Sequence, residues 1–141
     1  MLLRTDLQSL ARLRLQEAEA LHNAGLYDGC VYLCGYVLEM ALKACVCKTL
    51  KLAEYPDTDS SLRDFKTHEF RTLLLLAGLR AEFAEARLSS PSFDFKCNLV
   101  LGWKPDLRYQ TARTSEADSL EQLNALRSDP DGVLLWLQNR W

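Results

Sequence analysis

Two side chains in the stretch LRDFKTHEF, residues 62–70, are of the types that cut RNA without a metal. The guanidinium of Arg63 can hold phosphate oxygens bidentately, and the imidazole of His68 can take or give a proton near neutral pH. Spacing decides whether they act together. On one helix, five residues of separation would put them roughly 140° apart, on different faces. A boundary between them leaves Arg63 in a loop and His68 at the first position of a helix capped by Thr67. There His68 is either a general base or an exposed residue of the first turn.

A second constellation is Tyr32, Tyr36, Glu39 and Lys43. Steps of four, three and four place all of them on one face of a helix. Glu39 and Lys43 form a favourable i,i+4 pair with the acid on the N-terminal side. The row is either a polar satellite of the core or one wall of a polar cleft, because a carboxylate on so apolar a helix needs a partner or a purpose. A third is WKPDLRY, residues 103–109. Trp103 can plug the end of a bundle and Pro105 stiffen a turn. Alternatively, Arg108 beside Tyr109 suits phosphate and base contacts.

Other chemistry is not indicated. His22 falls late in the first helix, where solvent and a C-terminal dipole suit it. Cys30, Cys34, Cys45, Cys47 and Cys97 are odd in number and contain no C-x-x-C pair. They read as small buried hydrophobes rather than metal ligands or a disulfide framework. Phosphate-cradling glycine motifs and a G-x-S-x-G turn are lacking, so neither a cofactor nor a metal is expected.

Elements that position these residues follow from periodicity. A chain of 141 residues, 48% hydrophobic and 26% charged, fits one helical domain over 1–141 with its own core. The net charge of −2 argues against binding long duplexes by charge alone and leaves room for a local basic patch. The apolar run VYLCGYVLEMALKACVC carries Glu39 and Lys43, so it reads as a buried helix and not a membrane span. The opening MLLRTDLQSLARLRLQ does not fit a signal peptide, and the expected location is the cytoplasm.

The first helix is expected from Asp6 to Ala24, with Thr5 and Gln8 as a capping box and Leu7, Ala11, Leu15, Ala18 and Leu21 as its stripe. The second runs from Asp28 to Leu50, apolar on most sides. Residues 52–66 form a loop, and the third helix runs from Thr67 to a C′ glycine at Gly78. LRAEFAEARL continues as a short helix or kinked extension. SSPSFDF breaks the chain, and residues 96–115 are irregular. Ser115 opens another helix, and Pro130 is N1 of the last. The fold class is all-α, an up-down bundle of four to five helices.

Three strings form an ordered set: G-x-Y-x-x-x-x-Y-L-x-G-Y-x-x-E-x-x-L-K from Gly25, T-H-x-x-x-x-L-L from Thr67, and W-x-x-x-x-R-Y from Trp103. Together they resemble the HEPN domain (higher eukaryotes and prokaryotes nucleotide-binding) in its small stand-alone prokaryotic form, over Leu10 to Trp136. The resemblance implies a four- to five-helix bundle that forms a homodimer, with a polar cleft near the dimer axis. It implies nucleotide or RNA as ligand, and a toxin–antitoxin or defence module with a minimal nucleotidyltransferase as partner. Many family members are metal-independent ribonucleases with an R-x4-6-H motif at the start of the last long helix.

Here the chain departs from the pattern. Arg108 stands at that place, but no histidine follows it. The R-x4-H spacing of Arg63 and His68 lies before the third helix instead. The expected site is therefore composite: His68 as base and Arg108 as phosphate clamp, with Tyr32, Tyr36, Glu39, Lys43 and Tyr109 as ligand contacts. A non-catalytic protein-interaction module is the remaining alternative.

Overall fold

The computed structural model describes residues 2–56, 62–109 and 113–141, apart from the side chain of Arg108. The order of elements is α1 (Arg4–Asn23), α2 (Tyr27–Thr49), α3 (Phe70–Leu76), α4 (Arg80–Ser89), α5 (Pro91–Leu101), α6 (Glu116–Arg127) and α7 (Val133–Gln138). Single 3-10 turns at Arg63–Phe65 and Pro105–Tyr109 precede α3 and α6. The architecture is all-α. Among the described residues, extended pairing is limited to one bridge between Leu3 and Glu54.

Helix α2 is the axis of the molecule and touches α1, α3, α5, α6, α7 and the Pro105–Tyr109 turn. Its length and hydropathy would suffice to cross a bilayer, but its apolar residues are buried inside the bundle. Val37, Leu38, Ala41, Leu42, Ala44, Cys45 and Val46 point to different sides and all are buried, as a helix surrounded by partners requires. α1 lies along it through the expected stripe, with Leu7, Ala11 and Ala18 fully buried and Leu15 and Leu21 packed against the same core. Gly25, at φ 77°, makes the tight turn between the two helices.

Several boundaries differ from the expected ones, each for a physical reason. α1 starts before Thr5: Asp6 accepts from the Leu3 N–H at 3.2 Å, and the Leu3–Glu54 bridge fixes the preceding chain. Thr67 does not cap α3, whose N-cap is Glu69, so His68 and Glu69 precede the helix. The Thr67 hydroxyl accepts instead from the Glu69 N–H at 3.0 Å, a local turn. Gly78, at φ 68°, does end α3, and α4 is a separate helix rather than an extension.

SSPSFDF starts a helix instead of breaking one. Ser90 caps α5 by accepting from the Phe93 N–H at 3.2 Å, with Pro91 at its first position, and Phe93, Cys97 and Val100 fill the core. Pro130 does not open the final helix; α7 begins at Val133 behind Gly132. A Cβ on Gly132 would lie 2.5 Å from the Leu126 carbonyl oxygen, so this turn closes backbone on backbone before the helix can start. Ser115 caps α6 as expected, accepting from the Asp118 N–H at 3.0 Å.

The five cysteines are free and buried. Burial pushes the thiols of Cys45 and Cys97 up to about 12, which keeps them protonated and inert. Cys30 goes the other way, to about 7, because the Cys34 thiol and then the Ser119 hydroxyl hydrogen-bond to it; Cys34 itself is raised. His22 is half-buried rather than solvated, with Nδ1 2.8 Å from the Ser119 hydroxyl, and so ties α1 to α6.

Trp103 plugs the bundle. Its ring stacks on Phe70 at 5.6 Å and its Nε1 donates to the Tyr32 carbonyl of α2 at 3.1 Å. The indole approaches α2 at Gly35, where a Cβ would lie 1.9 Å from the ring. Gly35 is thus a notch in the central helix cut to the shape of a side chain 68 residues further on. The substitution Gly35→Ala should lower stability by about 3 kcal/mol, since neither the helix nor a ring held on both faces can retreat. Urea unfolding would read this as a lower midpoint at unchanged slope; an unchanged midpoint would show that the indole does not occupy the notch.

Candidate functional site

The polar row on α2 is built on a buried carboxylate. Glu39 is 1% exposed, in a helix whose neighbours are hydrocarbon. An ionised carboxylate in such a place requires donors on both oxygens. Lys43, one turn on and also buried, places Nζ 2.8 Å from Oε1. The second oxygen, Oε2, receives Nδ1 of His68 at 2.8 Å from outside the helix. Among the described residues, no buried side-chain polar atom lacks a partner.

Lys43 is enclosed by a residue that sequence reasoning passed over. The ring of Tyr55 lies 4.9 Å from Nζ, a cation–π contact, and its hydroxyl donates to the Phe65 carbonyl at 2.7 Å. Tyr55 is an aromatic residue in a polar loop. That oddity was its only signal, and it carried no hint of which lysine it would cover.

The geometry around His68 fixes its chemistry. A carboxylate only accepts, so the imidazole proton facing Glu39 sits on Nδ1, and in the neutral ring Nε2 is left as an acceptor. The side chain is 56% exposed while its carboxylate is at 2%. A solvent-facing imidazole is therefore held in one orientation by a buried anion. Tyr36 meets it edge-on at 6.5 Å, and the Tyr36 and Tyr32 hydroxyls are 3.2 Å apart. Both tyrosines are half-buried and back onto Trp103, with Tyr36 at 5.2 Å from the indole.

Four of the expected ligand contacts, Tyr32, Tyr36, Glu39 and Lys43, thus share one face with His68 added to it. Arg63 is not part of this group: it lies in the Arg63–Phe65 turn, and among the described residues no hydrogen bond or ion pair joins it to His68. Among the described residues, the R-x4-H spacing therefore yields no polar contact between the two. Tyr109 is 76% exposed at the end of the Pro105–Tyr109 turn, which packs on α2. Arg108 belongs to the same turn, and its side chain lies outside the described residues. Asp28 at the start of α2 accepts from the Thr114 N–H at 2.9 Å, returning the chain after that turn to the same helix. Among the described residues, no three His, Cys, Asp or Glu side chains converge as a metal site would need.

The family model of the HEPN domain matches residues 6–89, which span α1 to α4 and include Tyr32, Tyr36, Glu39, Lys43 and His68. The chain belongs to the HEPN domain family. The family comprises ribonuclease and nucleotide-binding modules, and its members commonly dimerise. No curated protein and no solved structure matches the chain.

The ion cluster predicts an ordered set of stabilities. Removing the anion alone, in Glu39→Gln, strands the buried Lys43 ammonium and should cost about 3 kcal/mol or more. Replacing both charges, in Glu39→Met with Lys43→Met, should recover most of that loss. His68→Ala should cost less, about 1–2 kcal/mol, because Oε2 loses its donor while Lys43 still meets the carboxylate and water can enter where the half-exposed imidazole stood. Chemical denaturation gives all three. A Glu39→Gln protein as stable as its parent would refute the buried pair.

Proposed function

We propose that this protein binds nucleotide or RNA on the face formed by Tyr32, Tyr36 and His68, with the Pro105–Tyr109 turn beside it. One observation carries the reading: a solvent-facing imidazole is oriented by a buried carboxylate beside the Tyr36 ring, whose hydroxyl meets that of Tyr32. That combination offers an aromatic edge for a base, hydroxyls for sugar or phosphate, and a nitrogen of fixed orientation. Arg108 and Tyr109 supply the phosphate and stacking contacts in this reading, and Glu39 and Lys43 support the face from below. The family resemblance supports a homodimer in a toxin–antitoxin or defence module, working with a minimal nucleotidyltransferase, and this reading places the protein in the cytoplasm.

A second reading, ribonuclease action, is favoured by the Glu39–His68 pair alone. His68 Nε2 would take the proton of an RNA 2′-hydroxyl, and that oxygen would attack the adjacent phosphorus. The bond from phosphorus to the 5′-oxygen then breaks, the leaving oxygen takes a proton from water, and His68 returns its proton to the hydroxide so formed. Arg108 would hold the phosphate oxygens as negative charge builds on them. The products are a 2′,3′-cyclic phosphate and a 5′-hydroxyl.

Binding of a labelled single-stranded RNA and of ATP, followed by fluorescence anisotropy, separates the two readings. His68→Ala, Tyr36→Phe and Arg108→Ala should each weaken binding, by about tenfold for Arg108→Ala, with helicity intact. Affinities unchanged in all three would remove the proposed face. If the protein also cleaves RNA in EDTA, His68→Ala should reduce the rate at least about a hundredfold. Equal cleavage by parent and variant would reject the ribonuclease reading while leaving binding intact.

A further inference from the structure

A groove of about 940 Å3 runs between α3, α4 and α5, and no residue of the face around His68 lines it. Its buried floor is apolar, with Leu74 and Phe83, and Leu101 extends it. Leu75 and Leu88 stand on its walls at 58% and 88% exposed, the latter being the most exposed large hydrophobic residue described. Two leucines facing water beside an apolar trough are a surface built to be covered.

The charges around the groove say by what. Arg87 is neutralised within the protein, donating to Asp94 at 2.5 Å and to Asn98 at 2.6 Å. Arg71 and Arg80 are exposed on the lining and make no ion pair or side-chain hydrogen bond among the described residues. The groove therefore carries two uncompensated cations over hydrocarbon, in a chain whose net charge is −2. A second copy docked about a twofold axis through the groove would bring the same patch opposite this one, whose one lining carboxylate, Asp94, is already held by Arg87, so the arginines would gain no anion. A nucleic-acid backbone would satisfy the arginines but would bury phosphates against leucine and phenylalanine. An amphipathic helix fits both features, its apolar stripe in the trough and its acidic flank on the two arginines.

We propose that the groove between α3, α4 and α5 binds an acidic amphipathic helix of a partner protein, with Leu75 and Leu88 closing over its apolar face and Arg71 and Arg80 meeting its carboxylates. The site is separate from the face of His68, so its failure would leave the nucleotide or RNA reading untouched.

The probe is a labelled helix-forming peptide about 18 residues long, with leucine at i, i+3, i+4 and i+7 and glutamate on its other faces. A twin peptide carries lysine in place of every glutamate. The glutamate peptide should bind the full chain and the lysine peptide should not. Arg71→Glu with Arg80→Glu should weaken binding at least about tenfold, and Leu75→Ser with Leu88→Ser should do the same. The matched control Arg4→Glu with Lys48→Glu, which alters the net charge equally and lies outside the groove, should bind as the parent does. Circular dichroism checks that each variant folds. Equal binding of both peptides, or no effect of the arginine reversals, would overturn the proposal. So would sedimentation showing that Leu75→Ser with Leu88→Ser splits a dimer of this chain while the glutamate peptide fails to bind.

Discussion

The carboxylate of Glu39 is the constraint around which the candidate site is arranged. A helix enclosed by α1, α3, α5, α6 and α7 has no water to offer an anion, so the protein must bring donors to it. The helix itself supplies one, because position i+4 lies on the same face and holds a lysine. The second comes from outside the helix. His68 comes from the segment before α3, and to reach Oε2 it must leave the helical path. Glu69, with ψ of 116°, is still extended, and α3 begins only at Phe70. The same segment is fixed upstream by the Tyr55 hydroxyl on the Phe65 carbonyl, while the Tyr55 ring covers Lys43. One buried charge thus dictates where the polar segment runs, which residue starts the next helix and which side chain faces solvent.

The other half of the site depends on a missing side chain. Gly35 opens α2 to the indole of Trp103, and that contact sets the backs of Tyr32 and Tyr36 against a rigid ring. Their hydroxyls meet at 3.2 Å because both rings are braced from behind. Functional groups held in this way need little further ordering when a ligand arrives, which lowers the entropic cost of binding. The Pro105–Tyr109 turn follows directly from Trp103, so the anchor that braces the tyrosines also sets the start of the turn carrying Arg108 and Tyr109.

What the sequence disclosed follows from how local the cause was. The stripe of α1, the Ser115 cap, the glycine end at Gly78 and the row Tyr32, Tyr36, Glu39, Lys43 are all written within a few turns of chain, and each was readable. The errors arise where one local signal serves two outcomes. Ser-Pro at 90–91 starts a helix, because Phe93, Cys97 and Val100 have a core to enter. Asp-Pro at 129–130 looks equivalent, yet the helix waits until Val133 because Gly132 must first pass close to the carbonyls of α6 and the turn after it. Thr67 looked like a cap because its hydroxyl does accept a backbone N–H, but from two residues on, in a turn that frees His68 to reach Glu39. Gly35 and Tyr55 were silent for a simpler reason. A notch or a lid has meaning only once its distant occupant is known.

Helix α3 shows how far these long-range anchors extend. Seven residues are too few for a helix to persist on its own propensity, so its place is set by what holds it. At the start stands the His68–Glu39 bond; at the end, the Thr49 hydroxyl donates to the Ala77 carbonyl at 2.7 Å, just before Gly78 turns the chain. Between them Phe70, Leu73 and Leu74 are buried, Phe70 beneath Trp103 and Leu74 on the groove floor. The remaining side carries Arg71 and Leu75 outward. The imidazole face and the apolar groove are therefore positioned by the same two anchors, although they share no lining residue. A ligand that displaced His68 from Glu39 would loosen the N-terminal anchor of the helix that forms one wall of the groove. The two surfaces thus share a supporting helix, while each keeps its own lining.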